Sequence, residues 1–252
     1  MKPTNQIPVL RKAVQVLEAV AGGRCEPTAA VLARTLSIAP ATCYRILQTL
    51  AHAGWVQLGA DGQCALGLGL LPLLERLQRH ELLGRPVQDA LQALTAATGV
   101  ASKVSARDGA EAVTLLRVAS SQPMALAVQP GARFHLTLGA SGAVLLSGLP
   151  DAGIEQILHD APPECWQWQK PEAVWKRIRE VRRQGVATDA ATYRPDIFGI
   201  SVPLLDMEGQ IQGALTLTGL RHGHTKAQLA GWRQLLLGQA AVLNQGRKHK
   251  AP

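Results

Sequence analysis

Aromatic side chains are scarce: the 252 residues include five Trp, two Tyr and two Phe, 4% of the chain. That leaves a core built from Leu, Val and Ala, and no row of stacking platforms for single-stranded nucleic acid. Cysteine is also sparse. Cys25, Cys43, Cys64 and Cys165 are dispersed with no C-x-x-C pair, which excludes a zinc ribbon or a disulfide framework and fits reduced thiols in a cytoplasm. No run of about 20 apolar residues is present, so no membrane span is expected. The stretch "LGLGLLPLL" (66–74) is too short and is interrupted by Pro72. The opening "MKPTNQIPVLRK" lacks the apolar run of a signal peptide, so a cytoplasmic location is expected.

What the chain does have is apolar content and positive charge. Hydrophobic residues make up 47%, enough for a packed core. Net charge is +8 and the pI is about 9.7. Within residues 1–80, Lys2, Arg11, Lys12, Arg24, Arg34, Arg45, Arg76 and Arg79 outnumber Glu18, Glu26, Asp61 and Glu75, an excess of +4. The rest of the chain carries the same excess over more than twice the length. The denser charge at the front suits a nucleic-acid partner there.

Periodicity organises the front into three helices and a hairpin. "VLRKAVQVLEAVAGG" places Leu10, Ala13, Val14, Leu17 and Val20 on one face and stops at Gly22-Gly23. "EPTAAVLARTLS" offers Thr28 as an N-cap ahead of Leu32, Ala33 and Leu36. "SIAP" is a tight connection, with Pro40 in the first turn of a third helix that Gly54 ends. "WVQLGADGQCAL" then alternates around Asp61-Gly62, a β-hairpin. Three helices closed by a hairpin make a winged helix-turn-helix over residues 6–69.

Residues 70–84 read as a linker helix, and 85–246 as a second domain. There "PVQDALQALTAATG" is a helix with Val87, Leu91 and Leu94 inward. Hairpins turn at Asp108-Gly109 and Glu208-Gly209, "MALAVQPG" is a strand, and "GASGAVLLSGLP" and "PEAVWKRIREVRRQG" are helices. A closing helix starts at Thr225, and a basic tail over 247–252 is expected to be disordered. Hairpins with intervening helices indicate an antiparallel sheet with flanking helices, giving an α+β two-domain chain.

The third helix raises the functional question. At 100° per residue, Cys43, Ile46, Leu47 and Leu50 form one stripe. Ala41, Arg45, Gln48 and His52 face the other way, flanked by Thr42 and Thr49. A merely solvated face would be rich in Glu and Lys, and this one has neither. Arg and Gln read guanine and adenine edges in the major groove.

These residues carry a resemblance. "LRKAVQVLEAVAGG…PTAAVLARTLSIAPATCYRILQTLAHAGWV…DGQCALGLGLL" resembles the DNA-binding half of the IclR family of bacterial transcription regulators. The match runs through Leu32, Ala33, Thr42, Arg45, Ile46, Leu47, Thr49 and Leu50. It departs at Pro40-Ala41, where the family commonly has Lys-Ser, at Val31, where it has Glu, and at Gln63-Cys64 in the wing. The resemblance continues through Gly131, Arg133, Leu136, Ala140, Gly142 and Leu145-Leu146. It ends with Gly185, Asp189, Pro195, Ile200, Pro203, Gly209, Ala214-Leu215 and Gly219. It implies a GAF-like α/β effector domain with an antiparallel sheet. It further implies a sequence-specific regulator whose partners are double-stranded operator DNA and a small metabolite, an organic or aromatic acid, acting as a homodimer or homotetramer with no cofactor.

The candidate DNA contacts are Thr28, Arg34, Thr42, Tyr44, Arg45, Gln48 and Thr49. The implied effector site comprises Gly139, Ala140, Ser141, Asp189, Gly199, Thr216 and Thr218. Thr216 and Thr218 lie two apart on a strand and point the same way; against this stands plain β-propensity on a solvated face. The N–H groups opening the helix after Gly139 can hold an anion. Gly199, where the family often has Cys or Ser, enlarges the cavity.

Other features weigh less. "GASGA" (139–143) resembles a nucleophile elbow around Ser141, but its last residue is Ala143 and no strand is expected before it. His222 and His224 lack a third metal ligand. Arg182-Arg183 read as helix-end surface charge, and Trp166 and Trp168 as packing residues. The rival function is a metabolite-binding enzyme or sensor whose front domain only docks a partner. It needs a nucleophile–base pair that the sequence does not show.

Overall fold

The computed structural model describes residues 7–23, 27–78, 81–120, 128–190 and 194–248. The chain divides into two compact units, residues 1–79 and 80–252.

In the first unit, helix α1 (Pro8–Gly22) has proline in its first turn and ends on Gly23 in the left-handed conformation. Its buried stripe is centred on Val16, with Ala13, Leu17 and Val20 beside it. Leu10 and Val14, expected inward, are 59% and 53% exposed. Apolar residues occupy two sides of this helix, so periodicity alone does not say which side is covered. Helix α2 (Ala29–Thr35) is capped by Thr28, whose Oγ1 accepts from the Val31 N–H at 3.4 Å. The chain then turns through Ser37 at φ +53°, and the Ile38 N–H donates to the Ala33 carbonyl at 2.9 Å. Helix α3 (Pro40–His52) buries Cys43, Ile46, Leu47 and Leu50, the expected stripe. Strands β1 (Val56–Leu58) and β2 (Cys64–Leu66) pair antiparallel, Gln57 opposite Ala65. The glycines of "LGLG" answer to close approach: a Cβ on Gly67 would lie 2.1 Å from the Gly54 carbonyl oxygen. Only glycine lets the returning wing fold against the corner after α3.

The linker helix is shorter than expected. Helix α4 covers Leu71–Gln78, a 3-10 turn follows at Glu81–Leu83, and a new helix, α5, runs from Arg85 to Thr98. Gly84 and Pro86 explain the break, since proline favours a fresh first turn over a helix interior.

The second unit is a six-stranded antiparallel sheet in the order β5-β4-β3-β8-β7-β6. Its strands are β3 (Ala101–Asp108), β4 (Glu111–Val118), β5 (Arg133–His135), β6 (Ala187–Ala190), β7 (Ile197–Leu205) and β8 (Ile211–Leu220). Between them lie α6 (Gly139–Ser147), α7 (Asp151–His159) and α8 (Pro171–Gln184), and α9 (Lys226–Lys248) closes the chain. Helices α5 and α9 cover one face of the sheet and α6 lies on the other, with α8 packed on α6.

Both expected hairpins form. Helix α7 and the short strands β5 and β6 were not legible in the sequence. The edge strand is Arg133–His135; of the expected strand "MALAVQPG", residues 124–127 lie outside the described residues and 128–131 are not strand. Thr225 caps α9, its Oγ1 accepting from the Gln228 N–H at 3.2 Å. That helix runs to Lys248, past the expected start of the tail; residues 249–252 lie outside the described residues. Cys25 also lies outside them, while Cys43, Cys64 and Cys165 are free thiols. Burial pushes the Cys43 and Cys64 thiols up from the ordinary value. No described helix is long and apolar enough to cross a membrane.

Strand alternation sorts chemistry between the two sheet faces. Val104, Phe198, Ile200, Val202, Leu204, Leu215 and Leu217 belong to the core beneath α5 and α9. The residues that alternate with them toward α6 include the polar or small Lys103, Ser105, Gly199, Ser201, Thr216 and Thr218.

Candidate functional site

The first unit exposes the side of α3 opposite its buried stripe. Tyr44, Arg45, Gln48 and Thr49 are exposed, Tyr44 by 57%, and Thr42 is half-buried. No acidic residue lies in the α3 sequence PATCYRILQTLAH. Thr42, Arg45 and Thr49 also line a groove of about 340 Å³ against Val9, Leu10 and Ala13 of α1. Two candidates have other work. The Thr28 hydroxyl caps α2, and Thr49 Oγ1 donates to the Arg45 carbonyl at 2.8 Å, so it faces outward only as an acceptor. Arg34 is exposed on α2. The wing tip is held by Asp61 Oδ1, which accepts from the Gln63 N–H at 3.0 Å.

In the second unit, Gly139, Ala140, Ser141, Asp189, Gly199, Thr216 and Thr218 all line one cavity of about 350 Å³ between the sheet and the start of α6. Register explains the convergence. Asp189 pairs with Gly199 and Gly199 with Thr218, while Ser201 pairs with Thr216 and Thr216 with Lys103, so the polar positions of four adjacent strands fall in two neighbouring rows on one face. The solvated-face alternative for the threonines does not hold: Thr216 is 2% exposed.

Both hydroxyls are already engaged. Thr216 Oγ1 and Ser201 Oγ are 2.5 Å apart. Thr218 Oγ1 donates to the Phe198 carbonyl at 2.9 Å, so Thr218 can accept from a ligand but has no proton left to give. A Cβ at Gly199 would meet the Ala140 Cβ at 3.6 Å and its backbone nitrogen at 3.9 Å, both ordinary contacts; the space there is real.

Asp189 is 4% exposed. Its Oδ1 lies 3.9 Å from Arg177 Nη1, and its Oδ2 would lie 3.8 Å from a Cβ on Gly139. Arg177, from α8, is itself 4% exposed. Its Nη2 donates to the Thr137 carbonyl at 3.2 Å and to Gln169 Oε1 at 2.5 Å. Burial pushes Arg177 below the ordinary guanidinium value, and Asp189 opposes that shift. Arg177 and Gln169 thus fix the loop entering α6 and the wall behind Asp189, a buried network that the sequence reading missed.

Lys103 was missed as well. It is 7% exposed and its ammonium stands 4.1 Å from the Phe134 ring centroid. Burial pulls its pKa down to about 8. The only advance signal is a lone charged side chain in the strand segment "VASKVSA". Because the folded value lies below the unfolded one, the charged lysine destabilises the fold fully below about pH 8. That penalty is relieved as pH rises toward the unfolded value near 10.4. Lys103→Met is therefore expected to be more stable than the parent at pH 7, by on the order of 3 kcal/mol, with the difference shrinking above pH 8 and lost only above about pH 10.4. Urea melts of both proteins across that range check it, and a variant less stable at pH 7 would contradict it.

The remaining candidates resolve simply. A short strand, β5, does precede α6, contrary to expectation, but Ser141 sits within the helix, 5% exposed. Arg182 is more than surface charge. Its Nε donates to the Ser147 carbonyl at 3.0 Å, Nη2 to the Leu149 carbonyl at 2.8 Å, and Nη1 to Asp151 Oδ1 at 2.7 Å, tying down the end of α6. His224 packs against the Phe198 and Trp232 rings, while His222 approaches Asp196 at 3.3 Å. Among the described residues, no three His, Cys, Asp or Glu are grouped to hold a metal ion. Trp166 packs in the core beneath α6, and Trp168 is 55% exposed.

Known proteins share both units. Residues 9–58 match the IclR helix-turn-helix domain, and residues 75–243, well over half the chain, match the bacterial transcriptional regulator IclR C-terminal domain. The HTH-type transcriptional regulator XynR of Escherichia coli K12 is 23% identical, covering 96% of this chain and 98% of that protein. The uncharacterized HTH-type transcriptional regulator RhmR of the same strain is 24% identical, covering 88% of this chain and 86% of its own. Among solved structures, an IclR homologue from Microbacterium hydrocarbonoxydans complexed with 4-hydroxybenzoate superposes with a TM-score of 0.80 at 19% identity, covering 96% of this chain and all of that one.

Proposed function

The chain belongs to the IclR family of bacterial transcriptional regulators, and from that premise we propose that α3 reads operator DNA while the cavity beside α6 holds the metabolite that controls it. The observation that carries this reading is the outer side of α3: exposed, without acid, with Arg45 and Gln48 at its centre. Arg45 and Gln48 contact base edges, with Thr42 and Tyr44 flanking them. Arg34 and the wing lie near the phosphates, and Thr28 acts through its cap on α2. Gly139, Ala140, Ser141, Asp189, Gly199, Thr216 and Thr218 surround the effector, a small organic or aromatic acid. The protein acts in the cytoplasm, without catalysis, as a homodimer or homotetramer. One small basic surface per subunit is too little against genomic competitors, so repeated half-sites must add their contributions.

Coupling between the two sites is reciprocal: operator DNA must change effector affinity by the factor by which effector changes operator affinity. A mobility-shift assay with DNA from upstream of the protein's own gene tests the reading. Binding there is expected to exceed binding to random DNA and to change when 4-hydroxybenzoate or related acids are added. Equal retention of both DNAs, unmoved by any acid, would overturn it in favour of a docking module.

A further inference from the structure

The charges around the cavity do not balance, and the imbalance says what the ligand must carry. Lys103 stands on β3 with Thr216 opposite it on β8, Arg117 opposite it on β4, and the Phe134 ring at its ammonium. Helix α6, GASGAVLLS, faces it with no titratable side chain. Both nearby arginines are already engaged: Arg133 with Asp108 and Glu111, and Arg117 elsewhere. The carboxylate in the cavity wall, Asp189, is on β6, three strands away in the order β3-β8-β7-β6. At the usual strand spacing that is about 14 Å between backbones. Asp189 is balanced at its own end by Arg177 and by the first turn of α6. The exposed Arg194 also has a partner. Among the described residues, Lys103 is the buried cation of the cavity with no anion beside it.

Resting on the reading of this cavity as the effector site, we infer that Lys103 carries the effector's charge and that the effector is a monocarboxylate with an apolar body. Its acid group lies at the β3 wall and not at the amino terminus of α6. The helix end is the obvious place for an anion, but Asp189 already stands against it, and a ligand carboxylate there would meet like charge. The end of the ligand that faces Asp189 and Thr218 must be neutral or a hydrogen-bond donor, because both offer lone pairs. Dicarboxylates are thereby disfavoured. Between the ends the wall is apolar, with Val128, Leu138 and Ile197. The depressed pKa of Lys103, near 8, fits a charge held by burial with nothing opposite it. A bound carboxylate restores the missing partner, so binding above that pH takes up one proton.

The test uses the full chain and measures dissociation constants for benzoate and phenylacetate, their neutral amides, and terephthalate. The monoacids are expected to bind at least tenfold more tightly than the amides or the dianion. Lys103→Met is expected to lose at least tenfold in monoacid affinity. In the parent protein alone, monoacid affinity is expected to fall about tenfold per pH unit between pH 8.5 and 10, a readout that does not depend on any variant folding. Monoacid binding that is flat across that range, equal for acid and amide, unchanged in Lys103→Met, or absent overturns the inference. If instead a neutral compound controls operator binding, metabolite control of DNA binding stands and only the charge assignment falls. If no compound alters operator binding while the monoacids bind through Lys103, the reverse holds.

Discussion

Arg45→Ala is expected to weaken operator binding about tenfold to a hundredfold per recognition helix, and to erase much of the preference for operator over random DNA. A bidentate arginine–guanine contact contributes roughly 1–3 kcal/mol of discrimination, and a symmetric dimer loses it twice. The reason for choosing Arg45 is local. The neighbouring Cys43, Ile46, Leu47 and Leu50 are buried against α1 and α2, so the helix cannot rotate to offer another residue. Thr49 spends its proton on the Arg45 carbonyl, which makes Thr49→Ala a milder change. Pro40-Ala41 at the start of α3 supply neither charge nor hydroxyl, so on the proposed reading Arg45 and Gln48 are expected to bear more of the load. Fluorescence anisotropy at fixed salt separates the effects. Operator affinity should collapse toward the random-DNA value, while random-DNA affinity falls only by the share of one phosphate-neutralising charge. An unchanged ratio of the two affinities would remove Arg45 from the base-reading surface.

Gly142→Ala is expected to unfold or badly loosen the effector domain. In an ordinary helix interior this exchange stabilises by about 1 kcal/mol. Here a Cβ would stand 2.0 Å from the Leu136 carbonyl oxygen and 2.8 Å from its carbon, both backbone atoms that cannot turn aside. Helix α6 would have to lift from the sheet, carrying Gly139, Ala140 and Ser141 out of the cavity wall. A cost of 3 kcal/mol or more, at the upper end for overpacking, corresponds to a melting point lowered by roughly 10 °C. Gly153→Ala is the matched control. It lies on α7 with nothing within 4 Å of the new Cβ, and a neutral or slightly raised melting point is expected. If both exchanges behave alike, the close approach of α6 to Leu136 is not what holds the helix down. The same contact explains the second glycine of "GASGA", Gly142, while the first, Gly139, has φ +67°; neither needs a nucleophile.

Legibility followed the range of the interaction. The caps at Thr28 and Thr225, proline in the first turn of α3, and the hairpin turns at Asp61-Gly62, Asp108-Gly109 and Glu208-Gly209 are decided within a few residues, and each was readable. On α1, Ala13, Leu17 and Val20 pack inward as expected, but Leu10 and Val14 do not and Val16 does; where the covered stripe is centred depends on α3 and the wing. Strand β6 is four residues long and β5 three, too short for alternation to register.

The sequence by itself determined that the front of the chain is a three-helix unit with a hairpin, that α3 turns a sparse polar side outward, and that Thr216 and Thr218 share a face. These follow from helix and strand periods and from turn chemistry, which need no distant partner. Only the tertiary structure decided which residues meet. Antiparallel register brings Asp189, Gly199 and Thr218 into one row and Thr216 and Lys103 into the next, although more than a hundred residues separate Lys103 from Thr216. It also decided the electrostatics. Asp189 is answered by Arg177 from α8 and by the start of α6, and Lys103 is left with an aromatic ring. Whether a buried charge is paired is a property of distances in space, and no spacing along the chain encodes it.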